Sequence, residues 1–122
     1  MAQPVYTALR KLHEDTKDDT RLREQKSQAV ELYTYLATWG LMRLKAEELA
    51  LSQEGKKDVV KAFFRVLEEV TGDQNLANDK GLEALKNLDT ASYLGLTGLG
   101  LQIAREFTFW ATTLYADIKS KD

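Results

Sequence analysis

The fold is decided by residues 89–119, which read DTASYLGLTGLGLQIAREFTFWATTLYADIK. Large apolar side chains recur in this stretch at steps of three or four residues, which is the period of a helix that buries one face. They are Leu96, Leu99, Ile103, Phe107, Trp110, Leu114 and Ile118. This stripe predicts a long C-terminal helix that serves as the central post of a small helical bundle, with Trp110 as a core residue.

Three glycines lie in the same stretch, at Gly95, Gly98 and Gly100. They do not match the dinucleotide-binding fingerprint, and no strand-like segment precedes them. In a helix they cost about 2–3 kcal/mol relative to alanine, so they indicate either a local break or the close approach of a second helix. Because the apolar period continues through them, the sequence favours close approach.

Shorter apolar segments upstream also predict helices. The best patterned covers about 56–71, and a longer one over about 20–38 is followed by Gly40, which either ends or bends it. Further elements are expected as a short helix beginning near Pro4, an apolar segment after Gly40, a turn at 52–55, an irregular loop over 74–80 and one or two turns over 81–88. Together they predict an all-α fold, a single compact bundle of five to six helices over residues 1–122.

The composition agrees with one globular domain. Of 122 residues, 43% are hydrophobic and 30% are charged, and both fractions argue against disorder. The chain has no cysteine, which excludes disulfides, thiol catalysis and cysteine metal sites. No run approaches the ~20 apolar residues of a membrane span, and no basic-then-apolar signal region opens the chain, so we expect a cytoplasmic protein without membrane contact.

The carboxylates and the single histidine do not form a recognisable reaction centre. His13 stands beside Glu14 and Asp15, but no second histidine or spaced ligand set accompanies it, so a solvated polar turn is the simpler interpretation. The adjacent pairs Glu47-Glu48 and Glu68-Glu69 diverge by about 100° on a helix, which favours solvated faces. We therefore expect no catalytic residue, no metal, no cofactor and no enzymatic activity.

Basic residues are the remaining candidates for a binding site. Because the net charge is −2, a nucleic-acid face would need local segregation of the 17 basic residues. Lys57, Lys61 and Arg65 are spaced by four, which places three cations on one side of a helix, where they can follow a phosphate backbone. The other interpretation is an ordinary solvated face. The further candidates for nucleic-acid binding are Arg43 and Lys45, just upstream, and Arg21 and Arg23 in a separate cluster.

Three places in the chain resemble the small-subunit family of type III-B (Cmr) CRISPR effector complexes. The first is Gly40-Leu41 after an apolar helix, although Trp39 stands where that family has asparagine. The second is the amphipathic segment 59–70. The third is the closing helix, in which an acidic residue, a tyrosine and a late Trp-Ala pair recur, here Asp89, Tyr93 and Trp110-Ala111.

The resemblance implies a non-catalytic subunit of an RNA-guided complex. Small subunits of that family stack along the guide–target duplex and place basic surface residues against the nucleic acid backbone. The implied partners are guide RNA, target nucleic acid, other CRISPR effector subunits and copies of the chain itself. The alternative is a helical homodimer or adaptor with no nucleic-acid role, in which Trp39, Trp110 and the glycine face mediate protein contacts.

Overall fold

The computed structural model describes residues 2–119, and this part of the chain consists of helices and connecting turns without a strand. The helices are α1 (Ala2–Asp15), α2 (Asp19–Trp39), α3 (Leu41–Ala50), α4 (Glu54–Thr71), α5 (Gly81–Lys86) and α6 (Thr90–Leu114). The predicted all-α bundle with a long C-terminal helix is confirmed.

The centre of the bundle is a pair of helices, α2 and α6. Helix α6 packs against α1, α2 and α4, as the predicted central post requires, while α2 packs against α3, α4 and α6. From α6, Ile103 and Phe107 are fully buried, and the Phe107 ring lies 6.0 Å from the ring of Phe63 on α4. The apolar stripe of the sequence therefore faces the core along much of its length.

Trp110 does not hold the core position predicted for it, because it is only partly buried. Its ring packs edge-on against Tyr6 of α1 at 5.1 Å, and its Nε1 donates a hydrogen bond to Glu106 at 3.0 Å. The large aromatic residue that closes this end of the core is Tyr115, which is fully buried just beyond the end of α6. Trp110 instead covers the seam between α1 and α6.

The glycine segment of α6 remains helical throughout, so no local break occurs. A Cβ on Gly100 would lie 3.3 Å from Leu41 and 3.5 Å from Leu36 and Phe63, which makes this glycine the point where α6 approaches its neighbours closely. A Cβ on Gly95 or Gly98 would meet open space. The prediction of close approach is confirmed at Gly100 and wrong at the other two positions.

The α2–α3 corner is a true break and not a bend. Gly40 has a φ of +87°, a backbone conformation that residues with a side chain rarely adopt. It caps the end of α2 and the start of α3. The backbone N–H of Met42 then donates to the hydroxyl of Tyr93 at 3.1 Å. This bond ties the corner to the first turn of α6.

The sequence predicted a turn at 52–55, but α4 already begins at Glu54, and Gly55 is buried in the first turn of that helix. Any side chain there would collide with the backbone of Arg21 and the side chain of Glu24 on α2. The close contact also lets the Gly55 N–H donate to a Glu24 carboxylate oxygen at 2.9 Å. The start of α4 is thereby held against the start of α2, which fixes the direction in which the basic face of α4 points.

Candidate nucleic-acid interface

The basic stripe of α4 forms one side of a pocket. Four-residue spacing places Lys57, Lys61 and Arg65 on the face of α4 opposite to Val59 and Phe63, which are fully buried. All three cations line the same pocket of about 310 Å³. We call this site the basic pocket, and its other lining residues are Glu48, Leu49, Ala77, Asn78 and Asp79.

The second side of the basic pocket is the loop between α4 and α5. The carboxylate of Glu68 accepts hydrogen bonds from the backbone N–H groups of Leu76 at 3.0 Å and Ala77 at 3.3 Å, which folds the loop back over α4. The Asn78 side chain accepts from the Lys80 N–H at 2.8 Å and fixes the turn that carries Asp79. Glu68 is therefore a loop anchor, and the prediction that it belongs to a solvated face is wrong.

The third side of the basic pocket comes from α3, where Glu48 and Leu49 line it. Glu48 is buried, contrary to the solvated position predicted for it, and its carboxylate lies 3.0 Å from the ammonium of Lys45. The partner of Glu47 is different, because its carboxylate accepts from the hydroxyl of Tyr35 at 3.4 Å. The two neighbouring glutamates of α3 thus diverge, as helix geometry requires.

Lys45 is not a surface residue, which corrects its prediction as a nucleic-acid contact. Its side chain is 1% exposed, and the ammonium lies 4.8 Å above the ring of Phe64 as well as beside Glu48. A side chain on Gly81 would collide with the Lys45 stem, so the glycine at the start of α5 makes room for it. Lys45 cannot reach a ligand outside the protein from this position.

The three cations of the basic pocket carry no ion pair with any residue that the structure describes. Of the two described carboxylates that line the pocket, Glu48 is already neutralised by Lys45, so that Asp79 alone offsets the charge of the three cations. The pocket therefore has an excess of positive charge. Cations in this state attract anions more strongly than cations that a neighbouring carboxylate already neutralises.

The remaining residues predicted to contact nucleic acid lie outside the basic pocket and interact with other groups of the protein. Arg21 makes a two-pronged ion pair with Asp58, at 2.6 and 2.8 Å, and this bond raises the pKa of the Arg21 guanidinium. Arg23 donates to the hydroxyl of Thr20 at 3.2 Å. The Arg43 guanidinium lies 4.4 Å over the ring of Trp39 and does not line the basic pocket. The structure thus brings together three of the seven predicted residues.

A second and larger pocket of about 660 Å³ lies between α1 and α4. Its apolar surface comes from both helices, and Arg65 lines it as well as the basic pocket. The apolar members of its lining are Pro4, Ala8, Leu12, Ala62 and Val66. Arg65 therefore marks the boundary between a charged and an apolar depression on the same side of α4.

The acidic and histidine side chains do not gather into a metal site. Within residues 2–119, no group of three or more such side chains is placed to hold an ion. His13 instead bonds to Asp117 at 3.3 Å and packs edge-on against Tyr115, with 4.8 Å between the rings. Among the helices of that part, none has the length and apolar character needed to span a bilayer.

Comparison with known proteins gives no relative from which a role can be transferred. The chain matches no protein-family model, no curated protein and no solved structure. The interpretation of the basic pocket therefore depends on its own geometry and charge.

No role in the pocket was assigned to Glu48 or Glu68 from the sequence, although the position of each glutamate on its helix indicates a buried partner. Glu48 follows buried Leu44 by four residues, and Glu68 follows buried Phe64 by four, so both belong to or border the apolar face of their helix. A charged residue in such a position indicates an internal partner. The missing information was the identity of that partner, a lysine for Glu48 and a loop backbone for Glu68.

Proposed function

We propose that this protein is a non-catalytic helical module that binds the phosphate backbone of RNA in the basic pocket. The observation that supports this proposal is the convergence of three cations, Lys57, Lys61 and Arg65, on one pocket of about 310 Å³, where none of them pairs with a carboxylate of residues 2–119. Phosphate groups are the anions that such clusters of lysine and arginine bind in nucleic acids. Contacts of this kind do not distinguish base sequence.

The resemblance to small subunits of type III CRISPR complexes supplies the biological setting of the proposal. In that setting the protein is a cytoplasmic subunit that stacks along a guide–target duplex beside other effector subunits and copies of itself. Arg43 lies at the start of α3, over the ring of Trp39 and outside the pocket. The slightly negative net charge of the chain predicts weak binding by the isolated subunit and stronger binding in an assembly, where several copies contact one strand.

The test is single-stranded RNA binding over a salt series, with the triple variant Lys57→Ala, Lys61→Ala, Arg65→Ala. Each neutralised phosphate contributes about 0.7 to the slope of log affinity against log salt for a single strand, so the variant should lower the slope by roughly 2. The three side chains form no described ion pair, and we expect the variant to fold as the parent does.

A matched control removes three other cations, through Arg10→Ala, Lys11→Ala and Lys86→Ala. Each of these side chains already pairs with a carboxylate on its own helix, and none lines the basic pocket. The control has the same change in net charge and should keep most of the parent slope. Equal losses in the two variants would show that net charge and not the pocket determines binding, and an unchanged slope in the pocket variant would refute the proposed site.

A second candidate function is a helical adaptor that binds proteins, as the alternative interpretation of the sequence holds. It is favoured by large apolar side chains that are left exposed, since Trp39, Leu94 and Phe109 are 52, 63 and 60% exposed. The two candidates differ in a simple measurement. The adaptor predicts that the parent chain, alone or assembled, shows no salt-dependent association with RNA. It also predicts that the chain sediments as a dimer and that Leu94→Glu dissociates this dimer. Both results together would favour the adaptor over the RNA-binding module.

A further inference from the structure

The buried ion pair of Lys45 and Glu48 needs an explanation that the stability of the fold does not provide. Both side chains are almost fully removed from water, at 1 and 6% exposure. Removing two charges from water carries a large desolvation cost for each ion, and apolar side chains of similar volume often stabilise a fold equally well or better. Glu48 also lines the basic pocket, so the pair can affect the charge of that pocket.

Glu48 belongs to two environments. Its carboxylate bonds to Lys45 at 3.0 Å in the interior, and the residue also lines the pocket that contains Lys57, Lys61 and Arg65. The Lys45 ammonium is held in place from other directions, since it lies 4.8 Å above the Phe64 ring and its stem packs where Gly81 has no side chain. The lysine is thus fixed at the position where it neutralises the one glutamate of the pocket.

We infer that Lys45 is a positioning residue for RNA binding, which acts by neutralising Glu48 so that the pocket cations remain available to phosphate. This inference rests on the proposed function of the basic pocket. Without Lys45, the Glu48 carboxylate would need another counter-charge, and the cations that line the same pocket are the neighbours able to provide one. One cation would then pair with Glu48 instead of with the RNA backbone. Lys45 would therefore affect RNA binding without touching RNA.

The test compares Lys45→Met with the double variant Lys45→Met, Glu48→Gln. Loss of one phosphate contact should lower the single-strand salt slope of Lys45→Met by about 0.7, which corresponds to about eightfold weaker binding at about 50 mM salt if affinity at 1 M salt is unchanged. The double variant removes both charges and should regain the parent slope. Glu48→Gln alone should bind at least as tightly as the parent.

A purely structural role for Lys45 gives different results. In that case, Lys45→Met changes the melting temperature but keeps the parent salt slope, which would overturn the inference. If Lys45→Met does not fold, Lys45→Gln provides the same test, because its amide can still donate to Glu48 but carries no charge. Failure of the double variant to regain the parent slope would likewise refute neutralisation as the mechanism.

Failure of the inference and failure of the proposed function can be told apart in the same series. If the proposed function is wrong, the parent and the triple pocket variant share one salt slope, and the inference falls with it. If only the inference is wrong, the triple pocket variant loses slope while Lys45→Met and the parent remain equal.

Discussion

Tyr115 offers the sharpest test of the packing at the end of the bundle. Its hydroxyl is buried and donates to the side-chain oxygen of Gln25 at 2.7 Å, while the Gln25 amide donates to Thr16 at 2.9 Å and to Asp58 at 3.0 Å. Tyr115→Phe keeps the ring and removes only this donor, so the Gln25 oxygen is left buried without its partner. A buried acceptor without a donor costs about 1–3 kcal/mol.

The assay is equilibrium unfolding in denaturant, supported by thermal melting. For a chain of this length, each kcal/mol lowers Tm by about 3–6 °C. The matched control is Tyr33→Phe, whose exposed hydroxyl accepts from Arg105 at 3.0 Å and should matter by no more than about 0.5 kcal/mol. If Tyr115→Phe is as stable as the parent while its ring stays buried, the network around Gln25 does not stabilise the fold.

The same tyrosine predicts a response to alkaline pH. Burial raises the pKa of the Tyr115 phenol in the folded state, and the negative charge of Asp58 raises this pKa further. A group with a raised pKa contributes its full stability below the unfolded value, about 10 for tyrosine, and loses it as the pH rises from there towards the folded value. The parent should therefore lose stability above about pH 10, and the Tyr115→Phe variant should lose less over the same interval. Identical alkaline profiles for the two proteins would contradict the buried position of the phenol.

The remaining predictions concern α6 and are all measured by denaturant unfolding. Phe107→Ala should cost about 3–5 kcal/mol because the ring is fully buried against Phe63, and Trp110→Ala should cost less because its ring is only partly covered. Equal costs would refute the assignment of Trp110 to the seam. Gly98→Ala should stabilise the protein by about 0.5–1 kcal/mol, since the new methyl group meets open space in a helix. Gly100→Ala should be less stable than Gly98→Ala, because its methyl group would lie 3.3 Å from Leu41, and the reverse order would refute the close approach at Gly100.

Periodicity was sufficient for the helices and insufficient for the pocket. The stripes of α4 and α6 are long and regular, so burial of Phe63 and Phe107 could be predicted from spacing alone. The spacing of Lys57, Lys61 and Arg65 likewise placed them on one side of a helix. The pocket they line also depends on a loop held by Glu68, and such a contact between backbone and side chain leaves no periodic pattern.

Charge was the other source of error in the sequence predictions. A lysine is expected at the surface, and Lys45 is inside because Glu48, the Phe64 ring and the missing side chain of Gly81 together accommodate it. Glu48 is three residues from Lys45 on the same helix, a spacing that the sequence shows, but Phe64 and Gly81 lie on two other helices, and no local pattern could reveal their contacts with Lys45. Trp110 shows the converse, since this residue of the apolar stripe is only partly buried and packs against Tyr6, while Tyr115, outside the stripe, is fully buried.

The network around Gln25 has a consequence for how the protein opens. It joins the α1–α2 turn through Thr16, α2 through Gln25, α4 through Asp58 and the segment after α6 through Tyr115. The amide hydrogens of these segments should therefore exchange with solvent in one cooperative event near the free energy of global unfolding. Helix α5 packs chiefly on α3 and takes no part in this network, so its amides and those of the preceding loop can exchange through smaller local openings. One wall of the basic pocket can then open and close while the scaffold beneath it stays folded.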